Sequence, residues 1–169
     1  VINKQLTIRG PQVGAGPGVT TVQAAAARGT ASAPVFTVVT TNVHFFDLTI
    51  RHGGGPFGGG IQVSGSGSAT VTNCRIVQND VTVIGGGIYS DGPVTLTDVR
   101  IAENTSGGDG GGLATTRNLT ANRTEISGNT AAGSGGGLFL DSTAAGVAFN
   151  LANTTISGNR ADADGGGVF

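Results

Sequence analysis

Two short stretches carry the residue types that could do chemistry: "YSD" at Tyr89–Asp91 and "FLD" at Phe139–Asp141. Alternation along an extended strand puts Tyr89 with Asp91, and Phe139 with Asp141, on a common outer face. A pair of carboxylates on one surface can act as acid and base at a glycosidic bond. Exposed aromatic rings can stack on a sugar or pack against another chain. Thr116 stands between the two aspartates in the repeat frame described below, and no Lys or Arg shares their column. The aspartates therefore read as solvated strand-end carboxylates, and no catalytic residue is assigned. The rings, together with Phe169, have two readings: a ligand or self-association face, or a surface covered by a flanking segment.

Metal and thiol chemistry find less support. His44 and His52 have no Cys or His partner at zinc-ligand spacing. "GGDGGGLA", with Asp109, matches the nonapeptide calcium repeat once and off period, and Asp162 and Asp164 add acidity in the equivalent loop. No metal and no cofactor is expected. Cys74 is the single cysteine, which excludes an internal disulfide framework; it is expected to be a small buried apolar residue.

The elements that hold these residues follow from internal repetition. Ile76, Ile101, Ile126 and Ile156 recur at steps of 25, 25 and 30, and Asn79, Asn104, Asn129 and Asn159 keep the same steps three residues on. The triplets beginning at Gly58, Gly85, Gly110, Gly135 and Gly165 each precede Ile61, Ile88, Leu113, Leu138 or Val168. "VHFFDLTIRHG" extends the frame through Ile50, and "VINKQLTIRG" is placed in the same column through Ile8. Each unit holds three short runs rich in Val, Ile and Thr that alternate apolar with small polar residues, as strands do. Glycine and β-branched residues both weaken helices. Three strands per turn predict an all-β, three-sided parallel β-helix of about six coils of roughly 25 residues.

Glycine triplets suit a corner that needs positive φ or close packing. Asp47, Asn73, Asp98, Arg123 and Asn153 form a second corner column, where Asn and Asp favour a left-handed bend and stacked amides can bond along a ladder. Arg123 is expected to break it. The inner columns run Phe45, Val71, Leu96, Ala121, Leu151 and Leu48, Cys74, Val99, Thr124, Thr154. The structural turn columns are thus Asn73, Asp98 and Asn153, with Asn79, Asn104, Asn129 and Asn159.

The units "GGGIYSDGPVTLTDVRIAENT", preceded by "NKQLTIRGPQ" and "PVFTVVTTNVHFFDLTIRHG", resemble right-handed parallel β-helix proteins of the pectin-lyase-like superfamily. More narrowly they resemble repeats of bacterial and archaeal surface proteins related to the polymorphic outer-membrane proteins, whose glycine motif reads here as GGG before Ile, Leu or Val. The resemblance spans nearly the whole chain. It implies a right-handed coil and an extracellular or cell-surface setting. Relatives on this fold include lyases, hydrolases, adhesins and structural fibres.

The whole chain, 1–169, is read as one β-helix segment of a longer polypeptide, with irregular first coils over 1–57 and regular GGG repeats over 58–169. A net charge of −1 leaves no basic footprint for nucleic acid, and the apolar runs are too short to insert in a membrane. The expected function is a non-enzymatic structural or adhesin-like segment of a surface or fibre-forming protein, with glycans or other copies of itself as partners. The alternative is a carbohydrate-active enzyme, a polysaccharide lyase or hydrolase, or a carbohydrate-binding module. A solenoid's open ends present unpaired edges, which favours end-to-end stacking into a filament. Threonine rows at Thr70/Thr72, Thr95/Thr97 and Thr120/Asn122 have the look of an ice-binding array, but Asn150/Ala152 and His44/Phe46 interrupt it. Sequons at Asn104, Asn118, Asn122 and Asn153 arise readily in such repeats; Asn153 is expected to be inaccessible, Asn118 and Asn122 better placed.

Overall fold

Each coil is built from short strands joined by sharp corners. A computed structural model describes residues 6–10, 20–141, 143 and 145–169 of the chain. One coil runs Ile88–Ser90, Val94–Thr97, Arg100–Ala102 and Thr105–Ser106. Its strands pair in parallel with the same strands of the coils before and after. The stacking makes one five-stranded, two six-stranded and one four-stranded sheet among the described residues. Strand alternation sends Ile88, Val94, Leu96 and Ile101 inward, where they are sealed from solvent.

The isoleucine column stands in vertical register: Ile50, Ile76, Ile101, Ile126 and Ile156 are successive partners. Ile8 does not belong to it. Leu6–Arg9 pairs with the second-strand sheet, so Ile8 faces Phe45, and Val22 is the residue that partners Ile50. The motif "LTIR" occurs at both Leu6–Arg9 and Leu48–Arg51, and both read equally well as strands. Length decides between them: the chain must still cross to Thr20–Gln23 before the next first strand, Phe36–Val39. Val1–Gln5 and 11–19, which the sequence reading also placed in the early coils, lie outside the described residues.

The coil has one more ladder than its sequence announces. Asp80–Val81, Thr105–Ser106, Thr130–Ala131 and Arg160–Ala161 form a two-residue-wide parallel sheet just after the asparagine column. Two residues show no alternation, so no period-2 signal marks them. Along this ladder the irregular segment before Phe36 is tied down by Arg28, which reaches the Asp80 carboxylate and the Thr105 hydroxyl.

Three columns of left-handed backbone turn the chain. The first contains Asp47, Asn73, Asp98, Arg123 and Asn153, with φ between 49° and 58°. Arg123 adopts the same bend as its neighbours at φ 49°, so it does not interrupt the corner. Its long side chain lies along the outside and clasps Asp98 through Nε at 2.7 Å and Nη2 at 2.8 Å, and that ion pair offsets the poor intrinsic fit of arginine to this conformation. The second column, His52, Gln78, Glu103, Gly128 and Gly158, bends just before Gly53 and the four asparagines Asn79, Asn104, Asn129 and Asn159. The third is the leading glycine of each triplet; Gly110, at φ 63°, is representative.

The two glycines that follow serve a different need. A Cβ on Gly112 would lie 2.6 Å from the carbonyl oxygen of Gly137 on the next coil, and 3.0 Å from Nδ2 of Asn129. Bare backbone is what lets successive coils close to strand spacing while the asparagine amides pack beneath them.

Those amides form an internal ladder. Asn104 Nδ2 donates to Asn129 Oδ1 at 3.0 Å and to the Ile76 carbonyl at 2.9 Å. Its Oδ1 accepts from both the backbone N–H and the Nδ2 of Asn79, at 3.0 and 2.9 Å. Asn129 repeats the pattern onto Asn159. Asn79, Asn104 and Asn129 are essentially without solvent contact, so every hydrogen bond is made inside the coil. The continuous amide ladder runs here, and not through the exposed corner of Asn73, Asp98 and Asn153. That outer corner holds one comparable bond, Asn73 Nδ2 to Asp47 Oδ1 at 2.7 Å, before the Asp98–Arg123 clasp takes over.

Candidate functional site

The first-strand sheet presents Gln62, Tyr89, Ala114 and Phe139 as successive outward partners. Tyr89 and Phe139 are half-buried, each covered by a second ring. Phe57 lies 5.4 Å from Tyr89 between centroids, tilted by 38°. Phe169 stacks on Phe139 at 5.6 Å and 11°. Ala114, between them, is itself buried. The corner before each first strand folds alongside this face: a Cβ on Gly110 would touch that of Ala114. The rings thus form two aromatic pairs flanking a small residue, each ring partly covered by another ring of this chain. Phe57 was not foreseen, because it sits in the corner "GGGPFGGG" outside any strand column; its bridge to Ile84 brings it beside Tyr89.

The polar half of the face converges on Tyr89 and Asp91. The Tyr89 hydroxyl donates to Asp91 Oδ1 at 2.7 Å, and the Thr116 hydroxyl donates to the same oxygen at 3.3 Å. Burial, the bond to Asp91 and the charges of Asp91 and Asp141 push the Tyr89 hydroxyl up to about 12. Asp141 caps its own loop, accepting from the Thr143 N–H at 2.9 Å, and this holds its carboxyl below the ordinary range. Asp91 and Asp141 lie two coils apart, roughly 9.5 Å at the usual strand spacing. A depressed Asp141 suits an ionised ligand to a sugar hydroxyl better than a proton donor.

Tyr89 is the one tyrosine of the chain, so its ionisation can be followed alone in the ultraviolet. The expected midpoint is about 12. Because the folded-state value is raised, chiefly by burial and then by the bond to Asp91, the contribution of the neutral hydroxyl is complete below the free tyrosine value and is lost as pH rises through the folded one. Asp91→Asn removes the neighbouring charge, and its midpoint should move back towards the free value. Part of the rise should remain, because burial is its largest cause; an unchanged midpoint would show that the Asp91 charge contributes nothing to it.

The remaining positions of interest are dispersed. Cys74 is buried, its thiol pushed up to about 11 by desolvation, and Sγ lies 3.2 Å from the Thr72 carbonyl. Asp109 Oδ1 accepts from the Ser134 N–H at 2.7 Å and so orders its loop; among the described residues no group of three or more His, Cys, Asp or Glu side chains gathers as metal ligands would. Among the described residues no helix is long and apolar enough to cross a membrane. His44 stacks on Phe46 at 6.1 Å, while Nδ1 of His52 is buried without a hydrogen-bond partner. Of the sequons, Asn104 is locked in the amide ladder; Asn118 and, contrary to expectation, Asn153 are exposed, and Asn122 is half-buried. Asn153 is reachable because its corner column lies outside the coil.

The sequence reading overlooked the outer face of the third-strand sheet. Arg75 and Arg100 are direct partners there, and Arg51 stands one coil earlier, diagonal to Arg75. Each occupies the outward place beside an inward isoleucine, so the frame contained the signal. A near-zero net charge concealed it.

No curated protein and no solved structure matches the chain. A family model, the right-handed beta helix region, matches residues 28–169. The matched span contains every regular coil, the glycine triplets and the asparagine ladder, and the chain belongs to the right-handed β-helix family.

Proposed function

We propose that the chain is a non-enzymatic structural segment, adhesin-like in its use, of an extracellular surface or fibre-forming protein. The observation that carries this reading is the internal asparagine ladder, in which each amide bonds the coil after it and the strand carbonyl before it. Such a column ties coils along the axis and holds every outer column at constant pitch. A rigid rod with aligned outer columns is suited to spacing and display. The test is incubation with acidic and neutral polysaccharides, followed by assays for unsaturated and reducing ends. No release of either is expected, and turnover of any of them would overturn the reading.

A second reading is favoured by the Tyr89–Asp91–Thr116 cluster beside the stacked Phe139 and Phe169: a carbohydrate-binding face made by Tyr89, Asp91, Phe139 and Asp141. Glycan-array binding that falls roughly tenfold or more, about 1.4 kcal/mol, in both Tyr89→Ala and Phe139→Ala supports it. No binding by the unaltered chain removes it. Self-association through the same aromatic pairs would appear as a concentration-dependent mass that the two substitutions lower.

A further inference from the structure

Arg75 sits at the centre of the third-strand face with charge it cannot place. Its in-register partner on the next coil is Arg100, and like charges directly opposite on adjacent strands repel. The neighbouring arginines are provided for. Arg100 Nε lies 3.4 Å from Glu125 Oε1, an ion pair without a hydrogen bond, so this Nε is shielded and unbonded as well; Arg51 Nε donates to Gln23 Oε1 at 3.0 Å, and Arg123 clasps Asp98. Among the described residues no carboxylate comes within ion-pair distance of Arg75. Its Nε is shielded from solvent and has no hydrogen-bond partner.

This guanidinium borders a groove of about 290 Å³ that Thr49, Arg51, Gln78 and Glu103 also line. Glu103 is the acidic member, and it accepts from Gln78 Nε2 at 3.1 Å. Across the face, the three guanidinium groups of Arg51, Arg75 and Arg100 exceed the two carboxylates of Glu103 and Glu125 by one positive charge. A shielded cationic donor without an acceptor is costly. Guanidinium forks match carboxylate and phosphate-like groups with paired hydrogen bonds.

We propose that this groove is an oxyanion site: an anionic sulfate, phosphate or carboxylate group, free or carried on a larger molecule, binds between Arg51 and Arg75. It supplies the missing acceptor, balances the excess charge and relieves the Arg75–Arg100 repulsion. The site faces away from the aromatic face and does not depend on it.

The test uses the whole chain, with arginine Nε–H resonances followed by NMR as sodium sulfate, sodium phosphate or sodium acetate is added at constant ionic strength. Saturable shifts are expected at Arg51 and Arg75, while the exposed Arg117 and Arg160 report only bulk salt. The anion with the tightest binding then separates tetrahedral esters from carboxylates as the source. Arg75→Gln should weaken binding roughly tenfold or more, about 1.4 kcal/mol, with Tm unchanged or raised because a like-charge pair is lost. Arg51→Gln, a change at a half-buried strand end, should weaken binding comparably and keeps the test open if the first variant does not fold. Absence of saturable shifts with all three anions, equal shifts at all arginines, or unaltered affinity in the variants overturns the proposal.

Discussion

Asn104→Ala is expected to cost about 4 kcal/mol or more and to bring the chain close to unfolding at ambient temperature. The substitution strips the acceptor from the Asn79 backbone N–H and from the Asn79 amide, and removes one donor each from Asn129 Oδ1 and the Ile76 carbonyl. All lie where water does not reach: the Asn79 N–H is left unsatisfied at about 1–3 kcal/mol, and the three other bonds are lost at about 1 kcal/mol each, because Asn79 Nδ2 keeps the Ile50 and Val77 carbonyls and Asn129 Oδ1 keeps the Asn104 N–H. Set against a typical stability of about 5–15 kcal/mol, the sum is severe. Asn122→Ala provides the comparison: that side chain faces outward and its Oδ1 accepts only a 3.3 Å bond from Asn153. Its effect should stay within about 0.5 kcal/mol. Urea unfolding followed by circular dichroism measures both. Equal stability of Asn104→Ala and the unaltered chain would show that the amide ladder contributes nothing.

Gly112→Ala should be nearly as damaging, about 3 kcal/mol or more, the upper range for overpacking. The new methyl group would meet the Gly137 carbonyl oxygen at 2.6 Å, an atom fixed by the backbone of the next coil, and would press on the Asn129 amide at 3.0 Å. Neither can yield without opening the spacing between coils. Gly128→Ala separates this effect from backbone conformation. Gly128 has φ 63° but nothing within 4 Å of the added carbon. Its cost should be the left-handed penalty alone, about 1–2 kcal/mol. If the two alanine variants unfold at the same urea concentration, close approach is not what the triplets provide. Since Gly112 abuts Asn129, substitutions at the two positions should also be non-additive, as expected for side chains that share a contact.

How the fold could be read from the chain follows from these same residues. Repetition of Ile76, Ile101 and Ile126 at a constant step shows vertical register directly, because a strand that pairs with its own copy must bring identical positions together. The glycine triplets likewise indicated a crowded corner. What repetition could not show is which atoms crowd it: that the third glycine faces an asparagine amide depends on how a buried side chain turns. The same limit moved the amide ladder from one column to another. Both columns are rich in asparagine, and only burial tells them apart. Ile8 was misplaced because one motif fits two sheets when a long connection intervenes. On the candidate face, the shared column of Tyr89 and Phe139 follows from strand alternation. Phe169 follows from the same frame, one coil after Phe139, whereas the capping ring Phe57 comes from a corner, where no period predicts a neighbour. The arginine face lay in the frame throughout, one residue from each isoleucine, and needed only that outward positions be searched for charge as well as for aromatic rings.

The longest step between triplets, from Gly135 to Gly165, differs from the step before it at one place. Between the first and second strands the preceding coil needs only residues 116–118, whereas this one takes 141–148. On either side the partners stay matched, Thr115 with Leu140 and Leu119 with Phe149. Extra chain is therefore absorbed at that bend without disturbing the floors above or below it. A scaffold with this property can gain new surface by lengthening a single bend, leaving the rest of the tower in place.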